Sequence, residues 1–232
     1  MKAWSVYDSV VATDLDLEKM VSRVLPLLRE GKVVSRFNVL VIGAGGVGFW
    51  TVVNLALSRC VTEIYVSDSD RVKEENLNRL PLNEMYLDLY KAEAVARWCE
   101  FTTITGRVRP VEIKPLENVS EEWLKRNARS YEVIVECTDD PKVARWVALL
   151  DHPRRVQVHY NGFDRITVAV NHPLHANSWS NSDRGRYEIV PSLSMPAMIA
   201  GSIAAFYALH PRLEKLSLAW QFNPLTGEVV KL

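Results

Sequence analysis

Asn38-Val39-Leu40-Val41-Ile42-Gly43-Ala44-Gly45-Gly46-Val47-Gly48 decides the fold of this chain. Val39 to Ile42 is apolar on both parities and largely β-branched, the pattern of a strand buried on both faces. Gly43, Gly45 and Gly48 fit Gly-x-Gly-x-x-Gly, with Gly46 inside the turn, and Phe49 to Ser58 continues as a helix rich in Leu, Val and Ala. In such a strand–turn–helix the first glycine permits the sharp turn. The second lets backbone approach a phosphate, and the third brings helix against strand. The helix N-terminus turns its free N–H groups toward the anion. Asp68 stands about 20 residues beyond, at the end of the next strand, where a carboxylate accepts ribose hydroxyls. Together these features imply a site for the phosphates of an adenine nucleotide.

Outward from this segment the chain alternates strand and helix. Glu63 to Ser67 reads as a strand, Asp88 to Phe101 as a helix, Val108 to Ile113 as a third strand and Tyr131 to Glu136 as a fourth. Ser120-Glu121-Glu122-Trp123 looks like a capped helix start, and Pro141 suits the first turn of another helix. This rhythm predicts an α/β fold, a Rossmann-like doubly wound sheet, mostly parallel. Val156 to Tyr160 and Ile166 to Val170, joined through Asn161-Gly162, read as an antiparallel pair. Ser217 to Phe222 with Glu228 to Leu232 forms a hairpin around Pro224-Leu225-Thr226-Gly227, so antiparallel strands belong to the C-terminal part. His172 to Arg186 is polar and reads as a loop carrying Trp179, a candidate partner anchor, and Ala197 to Leu209 is an Ala-rich helix for the core or a dimer interface. Leu17 to Leu28 has helical spacing, with Asp14 as N-cap and Gly31 as stop. We therefore divide the chain into a helical cover over residues 1–37 and a single nucleotide-binding domain over 38–232.

At 232 residues the chain can bury one large core. Its formal net charge of zero argues against nucleic acid or an anionic membrane as partner. No apolar run is long enough to span a bilayer and the N-terminus lacks a signal peptide's apolar stretch, so a cytoplasmic location is expected. Cys60, Cys99 and Cys137 lie far apart without a Cys-x-x-Cys pair, which excludes the usual structural zinc spacing. His152, His159, His172, His175 and His210 show no metal spacing, and Ser192 and Ser194 have no paired base. Cys137 reads as a small buried hydrophobe.

The residues after Asp68 carry the chemistry. Asp68-Ser69-Asp70 leads to Asn76-Leu77-Asn78-Arg79 and then Lys91-Ala92-Glu93-Ala94. Arg79 and Lys91 are cations close in sequence to the ribose-binding strand, and Asn76 adds an amide. Cations beside a glycine turn suit a triphosphate under attack, where charge grows on phosphate oxygens. Asp139, in Glu136-Cys137-Thr138-Asp139-Asp140 at the same sheet edge, suits magnesium, which takes one or two carboxylates plus phosphate oxygens.

Taken together, these segments from Val39 to Asp140 resemble the ThiF/MoeB/HesA family, the relatives of ubiquitin-activating enzymes. Arg186 to Pro191, the Ala-rich helix and Leu225-Thr226-Gly227-Glu228 resemble the family's later elements. The resemblance implies an ATP-dependent adenylyltransferase that converts a carboxylate, the C-terminus of a ubiquitin-like protein or peptide, to an acyl adenylate plus pyrophosphate. By position it implies Asp68 and Asp70 near the ribose, Gly43, Gly45, Gly46 and Gly48 at the phosphates, Asn76, Arg79 and Lys91 on the phosphates, and Asp139 on magnesium. Arg79, Lys91 and Asp139 would be the catalytic set. It also implies a homodimer. The chain departs from the family in four places. Ser5-Val6-Tyr7-Asp8 stands where an arginine-bearing segment is usual, the zinc cysteines are missing, and Asp140 replaces an asparagine. No cysteine follows Cys137, so onward thioester formation is not expected. The alternatives are a non-catalytic ATP-binding partner subunit of a ubiquitin-like activation system and, disfavoured by the Asn-Leu-Asn-Arg segment, an NAD-dependent oxidoreductase.

Overall fold

The computed structural model describes residues 22–103, 112–116, 119–173 and 192–232. Asp14, Leu17 and Met20 of the first helix, most of Val108 to Ile113, the loop with His175 and Trp179, and Arg186 to Pro191 lie outside the described residues. The strands are β1 (Phe37–Ile42), β2 (Val61–Ser67), β3 (Glu112–Leu116), β4 (Val133–Glu136), β5 (Arg155–Tyr160), β6 (Ile166–Val170), β7 (Leu218–Phe222) and β8 (Val229–Lys231). The α-helices among the described residues are α1 (Leu25–Arg29), α2 (Gly46–Ser58), α3 (Lys91–Thr103), α4 (Glu121–Asn127), α5 (Pro141–Leu149) and α6 (Ser194–Ala208).

The strands form one sheet in the order β3-β2-β1-β4-β5-β6-β7-β8. Strands β1 to β5 are parallel and β6, β7 and β8 antiparallel. This is the mostly parallel, doubly wound α/β sheet with an antiparallel C-terminal part that the sequence predicts. The chain runs outward from β1 through β2 to β3, then returns to place β4 on the other side of β1. That reversal puts a topological switch point between the carboxyl ends of β1 and β4, where such sheets bind ligands. Ile42 pairs with Glu136 at this point, and the Cys137 N–H donates to the Ile42 carbonyl at 2.8 Å.

Buried side chains form one cluster with Phe49, Val52 and Leu55 of α2, Val95 of α3 and Ala200, Ala204 and Ala208 of α6. A second gathers Leu40, Ile134, Leu124 of α4 and Val147 of α5 on the other face. The Ala-rich helix is thus core: its small side chains admit α2 closely, and a Cβ at Gly201 would lie 2.6 Å from Trp50 Cβ and 2.7 Å from the Val47 oxygen. Caps follow the sequence. Ser120 Oγ accepts the Trp123 N–H and Asp140 caps α5 ahead of Pro141. Gly31 ends α1 at φ +63°.

Several boundaries differ from the periodicity reading, each for a local reason. Helix α2 begins at Gly46 rather than Phe49, because glycines in its first turn serve packing despite their low helix propensity. Helix α3 begins at Lys91 rather than Asp88, which has a φ of +64° and belongs to a turn. Strand β3 runs on through Pro115 to Leu116; it is an edge strand, where a missing N–H is tolerated. Helix α6 starts at Ser194, with Pro196 inside its first turn. Because Gly201 has no room for a methyl group, Gly201→Ala should cost about 1–3 kcal/mol. The expected readout is a lower urea midpoint with an unchanged slope.

Candidate functional site

The glycine turn is built by backbone crowding. Gly43 turns at φ +94°, and a Cβ there would meet the Cys137 carbonyl and Thr138 Cγ2 at 3.0 Å. A Cβ at Gly48 would fall 1.8 Å from the Gly43 oxygen, so α2 sits on the strand end with room for hydrogen alone. At Gly46 the Tyr160 hydroxyl would be 2.7 Å away. Gly45, the N-cap of α2, differs: no described atom lies within 4 Å of a Cβ built there. Packing explains three glycines. Crowding does not explain the fourth, which leaves bare backbone at the N-cap of a helix, the kind of terminus that can receive an anion.

Two groups of charged side chains flank the turn. On the β2 side, Asp68 is half-buried; its Oδ2 accepts the Ala44 N–H at 2.7 Å and its Oδ1 the Asp70 N–H at 2.8 Å. Burial pushes the Asp68 carboxyl up, opposed by the Lys91 charge and then by the two backbone N–H groups. Lys91 Nζ donates to Asp70 Oδ2 at 2.7 Å; the Lys91 side chain is 12% exposed and that of Asp70 is 70%. Lys91, read from sequence as a phosphate ligand, is thus paired with Asp70 and acts on Asp68.

On the other side Tyr160 brings Arg79 and Asp139 together. Its hydroxyl is pushed up by burial, partly offset by Arg79 and by a hydrogen bond with Ser192, and raised further by Asp139. Arg79 is held by the Glu75 carbonyl at 2.9 Å and Asn78 Oδ1 at 3.2 Å, and its own carbonyl accepts Trp50 Nε1 of α2 at 3.3 Å. Asn78 Nδ2 reaches the Ser192 carbonyl at 3.2 Å. Asn76 is buried, and its Oδ1 accepts the Lys73 N–H at 3.0 Å, so this oxygen shapes the Glu74–Asn76 turn that presents Arg79.

Sequence reasoning overlooked the floor of the site. Glu136 is fully buried at the end of β4. Its Oε1 accepts the Thr138 N–H and hydroxyl, each at 2.7 Å; its Oε2 accepts Gln157 Nε2 at 2.9 Å and pairs with His159 Nε2 at 2.7 Å. Burial alone would raise this carboxyl, but the His159 charge and the hydrogen bonds from His159, Gln157 and Thr138 hold it below the usual carboxylate range. Gln157 and His159 alternate along β5, and Gln157 is in register with Glu136. Three polar residues, Arg155, Gln157 and His159, on one parity of the strand were the available signal. Cys137 is buried with its Sγ 3.7 Å from Thr51 Oγ1, and burial raises its thiol further above the ordinary range. Asp140, where the family has asparagine, accepts the Lys142 N–H at 2.8 Å as the cap of α5.

The donor set fits magnesium held largely by other ligands. Asp139 is one exposed carboxylate whose charge acts on Tyr160, and no cluster of three or more His, Cys, Asp or Glu that could hold a metal occurs among the described residues. No helix among them is long and apolar enough to cross a membrane.

Switch point, glycine turn and flanking carboxylates together define a nucleotide-binding α/β domain. A sequence model of the ThiF family matches residues 24–168, and the chain belongs to that family. No curated protein matches its sequence closely enough to count as a relative. Its fold is shared with E. coli MccB, solved with MccA-N7isoAsn (TM-score 0.68, 14% identity, 94% of this chain and 72% of that one). It is shared too with PaaA (0.66, 14%, 100% and 77%). The third likeness is to E. coli TcdA, a tRNA N6-threonylcarbamoyladenosine dehydratase solved with AMP (0.63, 16%, 85% and 96%). At such identities the likeness is one of fold.

Replacing Glu136 leaves the donors around it facing a neutral group. Its folded-state pKa lies below the unfolded value of about 4.5, so its contribution to stability is complete above that pH. The contribution is lost as pH falls through the folded value. Glu136→Gln should lower stability at neutral pH by about 3–5 kcal/mol and flatten the acid limb of urea midpoints plotted against pH.

Proposed function

We propose that this chain is an ATP-dependent adenylyltransferase that activates a carboxylate as an acyl adenylate. The observation that carries this reading is Gly45, bare backbone opening onto free space at the N-terminus of α2, with Asp68 on one flank and Arg79 and Asp139 on the other. MccB, which shares the fold, has also been solved with ATP.

In this reading the α2 N-terminus and the turn hold phosphates, and Asp68 accepts the ribose hydroxyls. A carboxylate oxygen of the acceptor attacks the α-phosphorus; an O–P bond forms, the α–β bridging bond breaks, and its electron pair leaves with pyrophosphate. A carboxylate is already ionised at neutral pH, so no general base is required. Arg79 bears on the charge that develops on phosphate oxygens. Magnesium held by Asp139 and those oxygens would supply further positive charge when bound. The acceptor is a peptide or a ubiquitin-like protein with a free C-terminus. Transfer stops at the adenylate, a reading supported by Cys137, whose thiol is buried and raised away from the reactive thiolate. We read residues 1–37 as a cover, 38–232 as the nucleotide-binding domain, and the cytoplasm as its place of action.

Two measurements test this. Exchange of labelled pyrophosphate into ATP should depend on a carboxylate peptide and fall at least about 100-fold in Arg79→Ala and in Asp139→Ala. Absence of ATP binding in the presence of magnesium overturns the proposal. We also read the chain as a homodimer, because α6 exposes Ile199 and Phe206, seven residues apart on one face. Phe206→Glu should then shift the light-scattering mass from dimer to monomer; a monomeric parent chain removes the idea.

A further inference from the structure

The β5–α6 side of the site carries apolar side chains that the adenylation chemistry does not use. The turn after β5 is organised by Asn161 Oδ1, which accepts the N–H groups of Phe163, Asp164 and Arg165 at 3.2, 3.1 and 3.0 Å. This presents Phe163 with 47% of its surface exposed. The Leu193 N–H donates to the Gly162 carbonyl at 2.8 Å, bringing Leu193, itself 47% exposed, beside that turn. Met195, two residues on in the first turn of α6, is 68% exposed. Beneath them Tyr160 bonds Ser192 and sets its hydroxyl against Gly46.

Single exposed apolar residues are ordinary, but a group stitched together at the mouth of a ligand site marks an interaction surface. Phe163 follows Tyr160 by three residues through that turn, so its Cα stands within about 11 Å of the residue that touches Gly46. An extended peptide with its carboxylate at the α-phosphate lays its two to four preceding residues, about 7–14 Å of chain, over that distance. Met195 lies on the same stripe of α6 as Ile199 and Phe206, and Phe163 and Leu193, which are not on the helix, carry the rim from there toward the site.

Resting on the adenylation reading above, we propose that this rim of Phe163, Leu193 and Met195 receives the residues just before the acceptor's carboxylate, and that the acceptor is a peptide bearing apolar side chains there. A tail of glycines or a small charged carboxylate leaves the rim exposed.

Pyrophosphate exchange measured with acetyl-Ala-Ala-Leu-Phe-Gly and acetyl-Ala-Ala-Gly-Gly-Gly tests this. The apolar peptide should show a KM at least about tenfold lower, the effect of burying one or two side chains. Phe163→Ser combined with Met195→Ser should erase that difference while ATP affinity, titrated separately, stays unchanged. Leu193→Ser serves as a second variant, with circular dichroism verifying the fold of each. Equal KM values for the two peptides in the parent chain overturn the rim and leave adenylation standing. So does a double variant that loses its oligomeric state with no change in KM, which would make the rim an interface between copies. No exchange with any carboxylate peptide overturns the adenylation reading, and the rim falls with it.

Discussion

The oxygen of Gly43 lies 1.8 Å from where any Cβ at position 48 would have to be, and this contact between two backbones sets the geometry of everything around the site. Because nothing larger than hydrogen separates β1 from α2, the helix starts directly on the strand end. Its first N–H groups then point across the switch point instead of into a loop. The same closeness recurs one layer out, where Gly201 lets α6 approach α2. Helix α6 in turn leads in through Ser192, which holds Tyr160 and, through its carbonyl, Asn78. Three missing side chains thus place the helix, its neighbour and the loop that carries Arg79.

Glu136 provides the second constraint, and it differs in kind. A buried carboxylate paired with a histidine is seldom a good source of net stability, since desolvation offsets most of the attraction. Here four donors satisfy it completely. Two of them belong to Thr138, whose methyl group abuts the space beside Gly43. The network therefore fixes the turn carrying Asp139 relative to the glycine turn. Apolar residues of equal volume would offer no acceptor to the Thr138 N–H and hydroxyl.

What was legible in the sequence follows from the range of each signal. Strand β1, the glycine turn and Asp68 are contiguous or separated by one βαβ unit, and local rules fixed their meaning. Helix starts were less legible, because Gly46 and Gly48 argue against helix by propensity and for it by packing. Arg79 and Asp139 were found by spacing, yet their common neighbour Tyr160 comes from β5, whose place beside β4 depends on the return of the chain across β1. Gln157 and His159 carried a faint signal: polar residues on one parity of a buried strand. Glu136 read as a strand end because periodicity does not reveal which donors a side chain will meet.

Lys91 is where the structure adds most to a residue singled out by position. Its partner Asp70 is largely exposed, and pairs of that kind are weak and readily exchanged. Its stronger consequence falls on Asp68, where it is the foremost influence opposing the rise that burial imposes. An ionised Asp68 has only acceptors to offer, which is what two ribose hydroxyl donors require; a protonated one would turn a donor toward them. Under the adenylation reading, Lys91 thus acts first through the carboxylate that holds the sugar. In the same reading Arg79, whose charge with that of Asp139 acts on Tyr160, is left as the cation for the phosphate side. Two cations that looked equivalent in the sequence thus stand in different surroundings, Lys91 with the Asp68 and Asp70 carboxylates and Arg79 with Tyr160.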